Sequence, residues 1–427
     1  MLSTLLPLFG LAVAAAAQGV PQPAGLIPRQ AANTSATTNA TSRHASLLVG
    51  AAGQIRGFDF DGKAFVPKAT VNVTEPGKAA SWMIFKEPNL LYAVDENGNA
   101  TRLFNYDKKT GVLSQELRSF NGSSGVVHLA FNDDKTILVG SSYGLGQVDI
   151  WDSAAADGSL KLIKQVPLPG TPSLVDKDAQ KVLRAHGAVL DPTGQYFIIN
   201  DLGGDKLHIL DIADGKFAIT ESTPVTPAGS GPRHGAFLTL DGGKKATHYI
   251  VVCELTNTIQ MFSVSYENGL KLTGIQTIST FGAAFPPANA ITARAGELVV
   301  SGGTGPAYVY VSNRLTGNFT DSISRFAIEA KSQTDKTPQL VFKGFIETGG
   351  LAPRMFSFSK DDKQQTLFVA NVNGEFTLQA HERCNSTVTT DCQMGRTPMA
   401  KFAFSQFSSQ PGGQGFGAQF VMDVTPC

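Results

Sequence analysis

Short apolar runs recur along this chain, each closed by a polar turn and followed by a run of β-branched residues. The pattern is clearest in GVVHLAFNDDKTILVGSSYG (125–144), RAHGAVLDPTGQYFIINDLGGDKLHILDI (184–212), PRHGAFLTLDGGKKATHYIVVCELTNTIQMFSV (232–264) and PRMFSFSKDDKQQTLFVANVNG (353–374). In each, a polar leading residue precedes an apolar strand, a turn rich in Asp, Asn, Gly and Lys, a second strand, a polar exit and a third strand. These turn residues reverse a chain cheaply, because Asp and Asn bond their own backbone and Gly tolerates positive φ. Weaker copies begin near Ser46, Trp82 and Glu297. Some seven units spaced by roughly 35 to 60 residues are the mark of propeller blades. The expected fold is therefore all-β, a ring of four-stranded antiparallel blades forming one domain over residues 45–427.

A ring places chemistry at its centre. The innermost strand of each blade lines the channel, and the residues that lead into it surround one mouth. Superposing the repeats puts Trp82, His128, His186, His234 and Met355 in one leading column, with Arg233 and Arg354 one residue earlier. A second column, at the exit of the following strand, holds Glu96, Asp201, Glu254 and Arg314. Channel-lining polar residues also tie blades together, so each one alone has a structural reading. Two guanidiniums beside a carboxylate and an imidazole are costly to desolvate, however, and such a group points to a functional site. His44, His208 and His248 lie outside the columns and are read as ordinary.

Composition narrows the partners. Thirty-five basic residues balance 35 acidic ones in 427, and no polycationic run suggests nucleic acid. Residues 1–17, within MLSTLLPLFGLAVAAAAQG, read as a signal peptide with a small-residue cleavage site around Ala15–Ala17. No later stretch is apolar enough to span a membrane. Residues 18–44, rich in Pro, Ala, Ser, Thr and Asn, read as a disordered leader. Seven N-x-S/T sequons, at Asn33, Asn39, Asn72, Asn99, Asn121, Asn318 and Asn385, fit a secreted, extracellular glycoprotein. In an oxidising compartment Cys384 and Cys392, which bracket a polar loop, are expected to form a disulfide in an insert near 381–395. Cys253 and Cys427 either pair or leave Cys253 as a buried thiol.

Four phrases, GSGPRHGAF, VVCELTNTIQMF, YVSNRL and APRMFSFS, together with RAHGAVLDPTGQYFIINDLGGDKLHILDI, resemble the seven-bladed β-propeller lactonase family. That family includes 6-phosphogluconolactonases of bacterial type and fungal carboxymuconate-lactonizing enzymes. The resemblance covers most of 45–425. It implies a pocket containing His186, Arg233, Glu254 and Arg354, with Asp201, His234 and Arg314 nearby; the leading column adds His128. It also implies opening or closing of a lactone ring without a metal or other cofactor. No residue set with zinc spacing occurs, nor a Gly-rich phosphate loop or a G-x-S-x-G nucleophile elbow.

The expectation is a secreted, monomeric lactonase-like hydrolase acting on a sugar or carboxylated lactone. His186 would move the proton, oriented by Glu254 or Asp201, and Arg233 and Arg354 would face the oxyanion or a substrate carboxylate. A muconate-type cycloisomerase would use the same groups in reverse. A propeller that binds without catalysis is the third reading; a lectin would repeat its pockets blade by blade, whereas these columns change identity around the ring.

Overall fold

The computed structural model describes residues 44–72, 79–283, 285–302, 307–383, 397–408 and 417–426. Seven antiparallel sheets follow one another around a ring. Blades 2 to 7 are continuous in sequence. Their innermost strands are Met83–Lys86, Val126–Phe131, Ala185–Leu190, Pro232–Leu238, Arg294–Val300 and Leu351–Phe358. Blade 1 is composite. Its inner strand is the C-terminal Ala418–Asp423, hydrogen-bonded to Ala45–Ala51, which is followed by Gln54–Phe60 and Phe65–Asn72. The weak repeat near Ser46 thus supplies a second strand, and the first and last described strands close the ring between them. Six blades have four strands. Blade 2 splits its outer edge between Val112–Leu113 and Arg118–Asn121, both on Ala100–Asp107.

Alternation along each strand explains how the ring holds. Successive side chains point to opposite sheet faces, and here both faces are covered by neighbouring blades. Leu47 and Val49 enter the core shared with blade 7, whereas Leu48 enters the core shared with blade 2. Phe197 and Ile199 face blade 3, and Ile198 faces blade 5. Seven apolar clusters result, one at each blade junction. This double burial is why the second strands of the blades read as continuous apolar runs. At roughly 1.5–3 kcal/mol per buried large side chain, the junction cores dominate the stability.

The turns follow local chemistry. In Asp191–Gly194 the Asp191 carboxylate accepts from the backbone N–H groups of Thr193, Gln195 and Tyr196, and Gly194 takes φ +74°. The two remaining expectations of chain organisation, residues 1–43 and the insert containing Cys384 and Cys392, lie outside the described residues, as does Cys427. Cys253 ends a strand as a fully buried free thiol, its ionisation pushed up by burial. Of the sequons, Asn72, Asn99, Asn121 and Asn318 are exposed; Asn33, Asn39 and Asn385 fall outside the described residues. Among the described residues no helix is long and apolar enough to cross a membrane.

Candidate active site

A β-bulge near the start of the inner strand is what delivers side chains to the channel mouth. In blade 4, Ala185 pairs with Asp201 and Gly187 with Asn200, leaving His186 as the extra residue. In blade 5 the shift between Pro232 and Gly235 sets Arg233 and His234 aside from the ladder. Blade 6 does the same with Gly296 and Glu297, and blade 7 with Arg354. A bulge frees one residue from the pairing pattern and re-aims its side chain. Four neighbouring blades use it at the same level, so groups remote in sequence meet.

At the mouth Glu254 is the electrostatic hub. Its Oε2 lies 3.0 Å from Arg233 Nε and 2.8 Å from Arg314 Nη2. Burial pushes the Glu254 carboxyl up, but Arg314, Arg233, Arg294 and Arg354 outweigh it and hold it below its ordinary range. Across the mouth, Arg354 Nη2 donates to Glu96 Oε2 at 2.6 Å. Burial again opposes the charged Glu96, and Arg354 wins. Arg233 is the deepest cation, with 2 % side-chain exposure. Its Nη1 donates to the Gly296 carbonyl at 2.9 Å, and burial plus the nearby Arg314 lower its pKa to about 10. Arg314, Arg354, Glu96 and Glu254 retain 13–25 % side-chain exposure. They form the accessible floor, and Arg233 lies beneath it.

Below and beside them sits an imidazole cluster. The His234 ring centre is 5.0 Å from that of His186 and 5.4 Å from that of His128, and Trp82 packs on both His128 (4.1 Å) and His234 (5.2 Å). Trp82 is itself fixed by donating Nε1–H to the Leu129 carbonyl at 3.1 Å. Tyr143 meets His186 edge to face at 5.6 Å and carries the Arg184 guanidinium on its ring at 4.2 Å. All three imidazoles are held neutral. Burial and then Arg233 lower His128 to about 3, and the same two causes hold His186 and His234 well below their ordinary value. Glu297 Oε2 lies 2.7 Å from His234 Nδ1, both side chains 5 % exposed. Burial raises the Glu297 carboxyl to about 7, against the pull of Arg233 and Arg314.

Of the residues marked from sequence, His128, His186, Arg233, His234, Glu254, Arg314 and Arg354 are brought together, with Glu96 from the exit column. Asp201 is not. Its Oδ1 accepts from the N–H groups of Arg184 and Gly204, and its Oδ2 lies 3.3 Å from His208 Nε2. The reason is register. Asp201 pairs with Lys206 as Cys253 pairs with Thr258, so its counterpart in blade 5 is Cys253 and not Glu254. A one-residue offset in a strand turns a side chain to the other face. His208, read as ordinary, is the partner Asp201 takes. Nor does Glu254 bond His186, whose Nδ1 bonds no protein group among the described residues. Met355, like Trp82, packs against the junction core of blades 1 and 2.

Three contributors were missed. Glu297 was visible only as the first residue of a weak repeat. Asn200 donates to the Arg233 carbonyl at 3.0 Å and accepts from Tyr249 Oη at 2.8 Å, stapling blade 4 to the bulge of blade 5. Arg184, by contrast, bonds the Tyr143 carbonyl and supports the ring beside His186. Among the described residues no group of three or more His, Cys, Asp or Glu side chains is placed to hold a metal ion. A separate cleft of about 430 Å³, lined by Phe281, Phe285, Asn318, Phe319, Phe345 and Glu347 among others, contains no imidazole or guanidinium and is not part of this site.

Seven sheets closed in a ring around one mouth of arginines and imidazoles agree with what comparison finds: the family model "Lactonase, 7-bladed beta-propeller" matches residues 36–387. The chain belongs to this family. It is 29 % identical over 314 residues to an Arthroderma benhamiae protein described as "Probable 6-phosphogluconolactonase", covering 73 % of this chain and 77 % of that one. The 6-phosphogluconolactonase of Bacillus subtilis is 25 % identical over 323 residues, 75 % of this chain and 84 % of its own. Among solved structures, the periplasmic gluconolactonase of Pseudomonas aeruginosa superposes with a TM-score of 0.68 at 25 % identity, covering 84 % of this chain and 96 % of that one. A Lactobacillus plantarum protein shares the fold at 18 % identity and a TM-score of 0.66, covering 89 % of this chain and 99 % of its own. Family and relatives support lactone hydrolysis as the activity of this chain.

Proposed function

We propose that this protein is a secreted, metal-independent lactonase that opens a sugar or carboxylated lactone at the central mouth. The observation that carries the reading is the convergence of Arg233, Arg314 and Arg354, from three blades, at one mouth beside neutral imidazoles, with Arg314 and Arg354 partly open and Arg233 buried. Hydrolysis of a lactone needs a nucleophilic water, stabilisation of charge on the carbonyl oxygen, and a proton for the departing ring alkoxide. Fixed guanidiniums in a desolvated basin supply the second need with little reorganisation. Arg314 and Arg354 are exposed enough to meet substrate, and Arg233 holds positive potential beneath them. Two guanidiniums on Glu254 and a third on Glu96 are the wrong surroundings for a divalent cation, which they would repel. The same floor suits a substrate that carries its own carboxylate, since a guanidinium binds one through two hydrogen bonds.

The relatives' names favour hydrolysis over cyclisation, and that of the Pseudomonas protein favours a lactone without a phosphate. An extracellular enzyme would meet such lactones wherever sugars are oxidised outside the cell. A hydrolysis screen tests the reading: glucono-1,5-lactone, its 6-phosphate, muconolactones and acyl lactones, offered to the wild type and to Arg354→Ala. Turnover of one class, lost about a hundredfold or more in the variant, is the expected result; a missing oxyanion donor typically costs about 2.7–4 kcal/mol. A folded wild type inert toward every lactone would leave the propeller as a binding protein.

A further inference from the structure

We infer that His234 and Glu297 work as one proton-transferring pair, His234 meeting the reacting water and Glu297 acting as its positioning and proton-storing partner; this rests on the hydrolase reading above. Geometry is the first support. Glu297 Oε2 stands 2.7 Å from His234 Nδ1, and on the far side of the ring Nε2, itself buried, bonds no protein group among the described residues. A carboxylate on one nitrogen of an imidazole fixes the tautomer and leaves the other nitrogen as the base. No other imidazole of the cluster has this arrangement. His186 lacks a carboxylate partner, because Glu254 is taken by Arg233 and Arg314 and Asp201 by His208. His128 Nδ1 accepts from the Ala188 N–H at 3.4 Å.

The second support is the field. His234 faces Arg233, with Nη1 3.2 Å from its Nδ1, and also His186, His128 and Arg314. Burial and this positive surrounding oppose an imidazolium, so a lone histidine here makes a poor base. The pair avoids that charge. As water attacks the lactone carbonyl carbon, one water proton moves to His234 Nε2 while the Nδ1 proton passes to Glu297 Oε2. The imidazole stays neutral, the carboxylate becomes a carboxylic acid, and the negative charge shifts to the tetrahedral oxygen beside the arginines. When the ring C–O bond breaks, the alkoxide takes the Nε2 proton and Glu297 returns its own to Nδ1. One water is consumed and one hydroxy acid is formed.

Glu297 is suited to this exchange. Arg233, Arg314 and the Leu298 N–H (3.2 Å to Oε1) favour its carboxylate, burial favours its acid, and the balance falls near neutrality. Above that point Nδ1 keeps the proton and Nε2 is free to accept one. Below it Glu297 is protonated and base catalysis fades.

The test compares the full-length wild type with Glu297→Gln and Glu297→Asp on whichever lactone the wild type hydrolyses. Gln fills the same space but cannot take up the proton. Expected are a fall in kcat of a hundredfold or more at little change in KM, loss of the rise in kcat/KM through about pH 7, and partial rescue in the Asp variant. Nitrogen-15 NMR of the wild-type histidines reads the tautomer without any substrate. His234 should carry its proton on Nδ1 at pH 8. A Gln variant with wild-type kcat and pH profile, or a wild-type His234 protonated on Nε2 at pH 8, overturns the pair. If no lactone is turned over the hydrolase reading fails by itself, and the NMR result still decides the pair.

Discussion

Burial sets the proton affinities of single residues here, and the effect extends from the mouth to the stability of the whole chain. His128, His186 and His234 stay neutral when folded, whereas the unfolded chain protonates them near 6.5. Below that pH the unfolded state binds more protons, so folding stability falls as pH falls, by up to about 1.4 kcal/mol per pH unit for each histidine, while Glu297, raised to about 7 in the fold, offsets the share of one of the three. Chemical denaturation at pH 7.5 and 5.5 checks this: the midpoint should drop markedly, and less so in His128→Asn. An unchanged midpoint would mean that the folded imidazoles protonate too. Asp201 belongs to the same scale. It closes a turn through two backbone N–H groups and faces His208. Asp201→Ala should cost about 1–3 kcal/mol of stability by leaving those buried donors unmade. It should leave the pH profile of lactone turnover in place. A changed profile with unchanged stability would return Asp201 to the site.

The element that matters most is the bulged inner strand. Each bulge needs room for a backbone detour, and glycines provide it beside the functional residues. A Cβ on Gly187 would stand 2.7 Å from the Arg233 carbonyl oxygen, the atom that Asn200 also binds. Gly187→Ala therefore forces blades 4 and 5 apart where His186 and Arg233 are aimed. The expected outcome is a lower melting temperature together with a loss in kcat/KM larger than destabilisation alone explains, measured well below the transition. Asn200→Ala removes the same staple without a clash and should show a milder version of both effects. The leading residues of these strands could be read from sequence because HGAV and HGAF repeat the same phase. Glu297 could not, because its blade opens on ARAGELVV, where Gly296 stands in place of a charged leading residue. Its meaning comes from His234, 63 residues away across a blade junction.

Across the whole molecule, closure decides whether the site exists. The strand Ala418–Asp423 pairs antiparallel with Ala45–Ala51, with one irregularity between Gly50 and Ala51, and Phe420 and Val424 complete the core between blades 1 and 2. A chain ending at residue 416 would leave blade 1 without its inner strand, and the arc of blades would lose a junction. Cooperative unfolding should then give way to a broad transition, read by calorimetry. A truncated protein that melts as sharply as the full chain would show that closure is dispensable.

The amino-acid sequence alone determined the architecture, because a repeated strand–turn phase with two apolar faces can be buried only by neighbours of the same kind. It also showed that histidines and arginines lead the inner strands, since these break an otherwise apolar pattern. Only the tertiary structure decided which acid serves which base. Pairing depends on a register of one residue and on contacts across blades, and neither leaves a trace in local hydrophobic alternation. So Glu254 went to two arginines, Asp201 to a turn, and Glu297 to the imidazole at the centre of the cluster.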